Sequence, residues 1–407
     1  MNSGIAYAEV FMEKTPKSMR LHIGVFGRTN TGKSSFINFL TAQNVSIVSD
    51  KPGTTTDTVE KTMELLPFGP VVFIDTAGID DRTELGKLRI EKTNKDFDRT
   101  DLGIILTEAD VWGDYEDYIK SELLKRKTDV IVVINKTDIK KPSEDFKNRL
   151  KSLGLNFIEC SSIKSEMRNE ALNKIKLFLK NDEPDKKIIN DIISKGSTAV
   201  LVIPIDKEAP KGRIILPQVQ VIRELLDGGN TAVCVRDKEY PELLKTLRPD
   251  IVVCDSQAVK FVCENTPSNI KLTTFSILFS RFKGDFKIFV EGAKFVEQLK
   301  PGDRIAVFEA CTHHPIGDDI ARVKIPKWLK EKVKGEVKID YFSGLDFPDD
   351  LSVYKMGVHC GGCMINSKNM ILRQNFFKEK NIPITNYGML IAACNGCLER
   401  VLTPFKI

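Results

Sequence analysis

The sequence predicts an α/β protein, a P-loop GTPase domain followed by two further α/β units, and three observations lead to that reading. A complete G-x-x-x-x-G-K-S phosphate loop lies between a strand run and a helical pattern near the start. Short apolar runs alternate with helical patterns through the rest of the chain, the signature of parallel sheets. Two Cys/His clusters, Cys311-Thr312-His313-His314 and His359-Cys360-Gly361-Gly362-Cys363, each follow a run that reads as a buried strand.

The first domain is expected over residues 1–181. Leu21 to Phe26 is its first strand, and Gly27-Arg28-Thr29-Asn30-Thr31-Gly32-Lys33-Ser34 follows directly, with a helix over Ser35 to Ala42. Gly27 and Gly32 let backbone N–H groups wrap phosphates, Lys33 reaches the β and γ phosphates, and Ser34 ligates Mg²⁺. Thr31 and Ser35 complete the phosphate-contacting residues. After the Lys51-Pro52-Gly53 turn, Thr55 is the candidate for a Mg²⁺-coordinating switch threonine. Val71 to Ile74 then delivers Asp75-Thr76-Ala77-Gly78, where Asp75 would hold the Mg²⁺ water shell and the Gly78 amide would meet the γ-phosphate. A buried strand ends in Asn135-Lys136-Thr137-Asp138. The Asp138 carboxylate can accept two hydrogen bonds from guanine N1 and N2, which adenine does not offer, and Ser161 and Ser162 close the base pocket. Four motifs in this order indicate a GTPase, not an ATPase. Ile79 occupies the position after Gly78 and cannot orient water as a glutamine would, so unaided hydrolysis should be slow.

Residues 180–187 form a charged, proline-containing run that reads as a linker. The second unit is expected over 190–272, with apolar runs at Ala199 to Pro204, Thr231 to Val235 and Ile251 to Cys254 and helices between them. It carries no catalytic motif, which suits an oligomerisation module. Cys234, Cys254 and Cys263 read as core packing. No internal repeat is visible.

The third unit is expected over 273–407, with strands at Arg304 to Phe308 and Leu351 to Val358 ahead of the two clusters. If both strands share one sheet, their carboxyl ends bring the clusters together, where open α/β sheets place ligands. Two Cys plus two His would suit structural zinc, in which a pair such as Cys360 and Cys363 is ordinary. The three thiolates of Cys311, Cys360 and Cys363 suit an iron–sulfur cubane with one iron held by a weaker ligand, for which His313, His359 and Asp318 are candidates. Buried structural cysteines remain a third reading. Cys394 and Cys397 would share one helix face, as extra ligands, a redox pair or, the preferred reading, small apolar residues.

The whole chain has 407 residues, 42% hydrophobic and 29% charged, with a net charge of +5. That balance argues against a dedicated nucleic-acid or membrane partner. No signal-peptide core and no run of about 18 apolar residues appears. Nine cysteines without a secretion signal point to the reducing cytoplasm.

An Era-like GTPase joined to Cys311-x-His313 and then to His359-Cys360-x-x-Cys363 resembles the HydF-type maturation GTPases of FeFe-hydrogenases, over essentially the whole chain. The resemblance implies a GTPase domain, a dimerisation domain and a cluster-binding domain. It implies a 4Fe-4S cluster on Cys311, Cys360 and Cys363, with His313 and His359 as exchangeable ligands or nearby supports. Asn30 matches the position that binds K⁺ in TrmE/Era-like GTPases. The implied role is a scaffold or carrier that delivers a two-iron subcluster to apo FeFe-hydrogenase, alongside radical-SAM maturases, as a homodimer or larger assembly. The rival is an RNA or ribosome-assembly GTPase with a zinc-stabilised tail. It would place interleaved aromatic and basic residues around Cys311 and Cys360, which the sequence lacks there.

Overall fold

The computed structural model describes residues 20–42, 59–66, 68–76, 93–179, 186–205, 214–309, 320–344, 346–348, 350–362 and 365–405. The chain divides into two units, Met1–Asp185 and Lys186–Ile407.

The first unit is built on a six-stranded sheet of β1 (Leu21–Phe26), β2 (Val59–Glu64), β3 (Pro70–Asp75), β4 (Leu102–Glu108), β5 (Asp129–Asn135) and β6 (Asn156–Glu159), in the order β2-β3-β1-β4-β5-β6. Only β2 runs antiparallel to its neighbour. The inner strands are nearly continuous apolar runs because both faces are covered. Successive residues serve opposite sides. Ile23, Val25, Ile104, Leu106, Ile131 and Val133 pack with Phe36 and Leu40 of the Lys33–Thr41 helix. Phe26, Ile105, Val132 and Ile134 pack on the other face with Phe97, Leu123 and Leu150. The strand order reverses between β1 and β4, so the loop after β1 lies at the crevice where such sheets bind ligands.

The second unit holds two four-stranded parallel sheets. One contains β7 (Thr198–Val202), β8 (Thr231–Val235), β9 (Ile251–Cys254) and β10 (Lys271–Thr274). The other contains β11 (Arg304–Glu309), β12 (Lys338–Ser343), β13 (Met356–His359) and β14 (Ile384–Asn386). Their orders, β10-β9-β7-β8 and β12-β11-β13-β14, describe one topology twice: the first strand is flanked by the second on one side and by the third and fourth on the other. The duplication reaches individual hydrogen bonds. Asp250 N to Thr198 O corresponds to Lys355 N to Arg304 O, and Asp255 N to Val202 O corresponds to Cys360 N to Phe308 O. Each last strand runs straight into a helix whose N-cap side chain accepts from the third residue on, Thr274 from Ile277 N and Asn386 from Met389 N. The repeat lies in topology and capping, so a search for repeated residues does not see it.

One core joins the two sheets, containing Val200, Val252 and Leu272 from the first and Ile305, Val307, Met356 and Val358 from the second. The Phe275–Lys283 and Tyr387–Cys394 helices meet tightly. A Cβ at Gly388 would lie 2.5 Å from the Ser276 Cβ, and Asn386 Nδ2 donates to Ser276 O at 3.0 Å.

Two expectations are corrected, and one strand escaped the sequence reading. The strand read from Leu351 begins only at Met356, because Leu351 accepts a turn hydrogen bond from Tyr354 N. The helix that starts at Tyr387 stops at Cys394, and Gly396 at φ 69° turns the chain before a short helix over Leu398–Leu402, so Cys394 and Cys397 do not share one helix face. The edge strand β12 goes unrecognised in the sequence because it is half-buried and carries Lys338 and Asp340. Among the described residues, no helix is long and apolar enough to cross a membrane.

Candidate functional site

The phosphate loop follows β1 and feeds the Lys33–Thr41 helix. Gly27 sits where the backbone passes β4 closely, since a Cβ there would lie 2.3 Å from Leu106 O. Gly32 at φ 91° forms the helix N-cap, and a Cβ there would press on Asn135 Nδ2 at 2.8 Å. Lys33 is buried and donates to Gly27 O at 2.9 Å and Arg28 O at 2.7 Å, so its charge is held in the mouth of the loop. Asp75 ends β3 beside it. Burial raises the Asp75 pKa above the ordinary carboxylate value, opposed by a hydrogen bond with Ser34 and by the charges of Lys33 and Lys61. A buried carboxylate, a hydroxyl and an ammonium therefore meet where Mg²⁺ and phosphate would sit. Ser35 is exposed on the first turn of the helix, and Asn30 is exposed at φ 65°.

Asn135 joins this loop to the base-recognition loops. Its Nδ2 donates to Thr31 O at 3.0 Å, and its Oδ1 accepts from Ser162 N at 3.2 Å and Ser162 Oγ at 2.8 Å. Lys136 bridges Asn30 O at 2.8 Å and Glu108 at 2.6 Å. Asp138 accepts from Ser161 Oγ at 2.5 Å, and that bond is the main cause holding its carboxyl below the usual range. It is thus an ionised, exposed acceptor whose carboxylate is held by Ser161. Thr31 Oγ1 donates to Arg28 O at 2.9 Å and stiffens the loop. Sequence reasoning missed the pair Arg28–Glu116, whose two hydrogen bonds of 2.8 Å tie the loop to the Asp114–Lys125 helix. Thr55 and Gly78 lie outside the described residues.

The second candidate site lies at the carboxyl ends of β11 and β13. These strands are parallel neighbours, with Phe308 opposite His359. The strand order reverses between them, so this too is a switch-point crevice. Cys360 leaves β13 with its N–H on Phe308 O at 2.9 Å, and its Sγ accepts from Gly362 N at 3.4 Å. An amide aimed at sulfur in this way favours a thiolate, the form in which cysteine binds metal. Cys311, His313, Asp318 and Cys363 lie outside the described residues. Among the described residues, no group of three or more His, Cys, Asp or Glu side chains could hold a metal.

His359 is fully buried and stacks on Phe308 with ring centroids 6.0 Å apart. Its Nδ1 lies 2.8 Å from Cys360 O, and its Nε2 lies 2.9 Å from Arg373 Nη1. A carbonyl only accepts and a guanidinium only donates, so the ring carries its proton on Nδ1 and both nitrogens are engaged. Arg373 also donates to Gly344 O at 2.7 Å. On the other side of the turn, the buried Lys283 donates to Gly362 O at 2.6 Å and Ile365 O at 3.0 Å. Lys283 and Arg373 were not singled out from the sequence. The available signal was a basic residue at a buried position of an otherwise apolar helical pattern, Phe275 to Lys283 in the first case.

Comparison with known proteins follows this division. Residues 287–404 match the family model of the hydrogen maturase F tetramerization domain, and residues 188–284 match that of the hydrogen maturase F dimerization domain. Residues 22–136 match a model described as 50S ribosome-binding GTPase. The GTPase Der of Wolinella succinogenes is 35% identical over 140 residues, 33% of this chain and 29% of that protein. The tRNA modification GTPase MnmE of Clostridioides difficile is 34% identical over 152 residues, 37% of this chain and 33% of that protein. The chain thus spans about a third of the length of these curated relatives. Among solved structures, Era of Aquifex aeolicus bound to GDP and AlF4⁻ is 21% identical with a TM-score of 0.36, covering 55% of this chain and 97% of that one. The G domain of the T. maritima FeoB iron transporter is 23% identical with a TM-score of 0.32, covering 40% of this chain and 99% of that one.

Proposed function

The chain belongs to the hydrogen maturase F family, and from that premise we propose that it is a GTP-hydrolysing scaffold that carries a 4Fe-4S cluster and serves the assembly of FeFe-hydrogenase. Its matched dimerization and tetramerization domains support oligomerisation, and we take the basic assembly to be a homodimer in the cytoplasm. These two models favour the hydrogenase reading over a ribosome-assembly GTPase with a zinc-stabilised tail.

The observation that carries the cluster reading is the place of Cys360. It leaves one strand at a switch point, its backbone is bonded to the strand that leads to Cys311, and an amide points at its sulfur. Cys311, Cys360 and Cys363 would hold the cluster. His359, with both ring nitrogens already used, acts as a support, which leaves His313 or Asp318 for the remaining iron. When bound, the cluster supplies an iron site open to an exchangeable ligand, suited to docking a two-iron precursor. The apo-hydrogenase and the radical-SAM maturases are the partners this role requires.

In the nucleotide site, Lys33 binds the β and γ phosphates, Ser34, Asp75 and Thr55 hold Mg²⁺, and the Gly78 amide meets the γ-phosphate. Asp138 reads guanine, with Ser161 fixing its carboxylate. Asn30 would help hold K⁺, whose positive charge would stand in for an arginine finger, which suits a site with Ile79 where other GTPases use glutamine. Lys33→Ala removes the phosphate-binding ammonium. It should abolish phosphate release from GTP while leaving bound iron at the wild-type level, measured on anaerobically purified protein. Loss of iron together with turnover would contradict the separation of the two sites.

A further inference from the structure

Glu116 is fully buried in the first turn of the Asp114–Lys125 helix, and its carboxylate is bonded to the phosphate loop. Its Oε1 accepts from Arg28 Nε and its Oε2 from Arg28 Nη2, both at 2.8 Å, the two-pronged arrangement in which guanidinium and carboxylate bind most strongly. Oε2 also accepts from Gly113 N at 2.8 Å, the reciprocal half of a capping box. A glutamine would serve that cap equally well, and a buried carboxylate is costly to bring out of water. The charge at position 116 therefore answers Arg28, whose guanidinium also lies over the Tyr115 ring at 5.0 Å.

The main chain of Arg28 is held as firmly as its side chain. Arg28 O accepts from Thr31 Oγ1 at 2.9 Å and from Lys33 Nζ at 2.7 Å, so the direction of this carbonyl helps decide where the ammonium stands. The helix that anchors the side chain is itself fixed. Ile119 and Leu123 are buried in the core beside β4 and β5, and a Cβ at Gly103 would lie 2.5 Å from Leu123 Cδ1. Trp112 Nε1 donates to Asp117 at 3.1 Å and secures the start of the helix. The next corners of the loop are held from the base-recognition motif, Asn30 O by Lys136 and Thr31 O by Asn135. Glu116 adds a hold from outside the four GTPase motifs.

We propose that Glu116 is a positioning residue for nucleotide binding: through Arg28 it keeps the empty phosphate loop in the shape that accepts phosphate, with the Lys33 ammonium already in its mouth. This role deepens the nucleotide-site reading above and rests on it. A loop released from the helix samples other shapes, and apparent affinity falls in proportion to the population of the competent one. Once phosphates are bound, they hold Lys33 and the loop amides themselves. The loss therefore falls on KM and Kd and spares kcat, the pattern of an interaction that serves ground state and transition state alike.

The test uses the full-length protein with Glu116→Gln, with Arg28→Ala and with both, assayed for GTP hydrolysis and for equilibrium binding of a fluorescent GDP analogue. Glu116→Gln keeps the cap on Gly113 and gives up the ion pair. It should raise KM for GTP and Kd for the analogue at least about tenfold, equivalent to roughly 1.4 kcal/mol, with kcat within about twofold of wild type. Arg28→Ala should lose at least as much, and adding Glu116→Gln to it should cost little more, because both changes release the same clamp. The Arg28 side chain is part-exposed, so its alanine variant carries the test of the clamp if the glutamine protein does not fold. A glutamate that only caps its helix would lower the melting temperature and leave KM and Kd unchanged, which would overturn the proposal. A fall in kcat at constant KM, or fully additive losses in the double variant, would overturn it too. If wild type binds and hydrolyses GTP while neither single variant moves KM or Kd beyond about twofold, Glu116 has no such role and the nucleotide-site reading stands. If wild type itself binds no GDP analogue, both fall.

Discussion

Asn135 offers a quantitative test of how the nucleotide site is assembled. Its amide is 2% exposed and makes three hydrogen bonds, one to the phosphate loop at Thr31 O and two to Ser162. At about 1 kcal/mol per bond, Asn135→Ala removes about 3 kcal/mol of linkage between the loops that hold phosphate and base. The nucleotide must then impose that register itself, so affinity should fall roughly 100-fold. Ser162→Ala removes only the hydroxyl bond, and about 1 kcal/mol corresponds to roughly fivefold. Both values follow from equilibrium binding of a fluorescent GDP analogue, with stopped-flow dissociation showing whether the loss is in the off-rate. An Asn135→Ala protein that melts like wild type yet binds within about threefold of it would refute the linkage, as would equal losses in the two variants.

Two further predictions concern the second unit. Phe308 is fully buried, stacked on Phe342 and Phe347 at 5.3 Å and set edge-on to Phe377 at 5.7 Å, so Phe308→Ala should cost about 3–5 kcal/mol in urea unfolding. A loss below about 1 kcal/mol would mean that this face is loosely packed. Burial pushes the Cys394 and Cys397 thiols up to about 12, from an ordinary value of 9.0. The folded thiols keep their protons where the unfolded ones lose them, so this contribution is intact below pH 9 and is lost as pH rises from 9 towards 12. Thermal melting in alkaline buffers should fall through that window, less steeply in a Cys394→Ala/Cys397→Ala protein; identical slopes would contradict it.

The nucleotide site was legible because its motifs are local. Gly27 to Ser34 and Asn135 to Asp138 each place their chemistry within eight consecutive residues, and the flanking apolar runs announce the strands that carry them. The repeated topology of the second unit was not legible, because strand order depends on pairings such as Phe308 with His359, about 50 residues apart, that leave no local trace. His359 could be named from its place beside Cys360. Its work could not, because the partner that fixes its tautomer, Arg373, sits on a helix that buries polar residues such as Asn369 and Gln374, so no apolar stripe marks Arg373 as facing inward. Lys283 escaped as well: a lysine that ends an apolar helix is usually a solvated C-terminal charge, and here neighbouring backbone closes over it.

Iron, acid-labile sulfide and zinc, assayed together on wild-type and Cys360→Ser protein prepared without oxygen, test the central claim most directly. The account predicts a brown wild-type protein with about four iron and four sulfide per chain and little zinc, and a serine variant that loses the chromophore. A colourless wild-type protein containing zinc, or a serine variant with an unchanged spectrum, would contradict it.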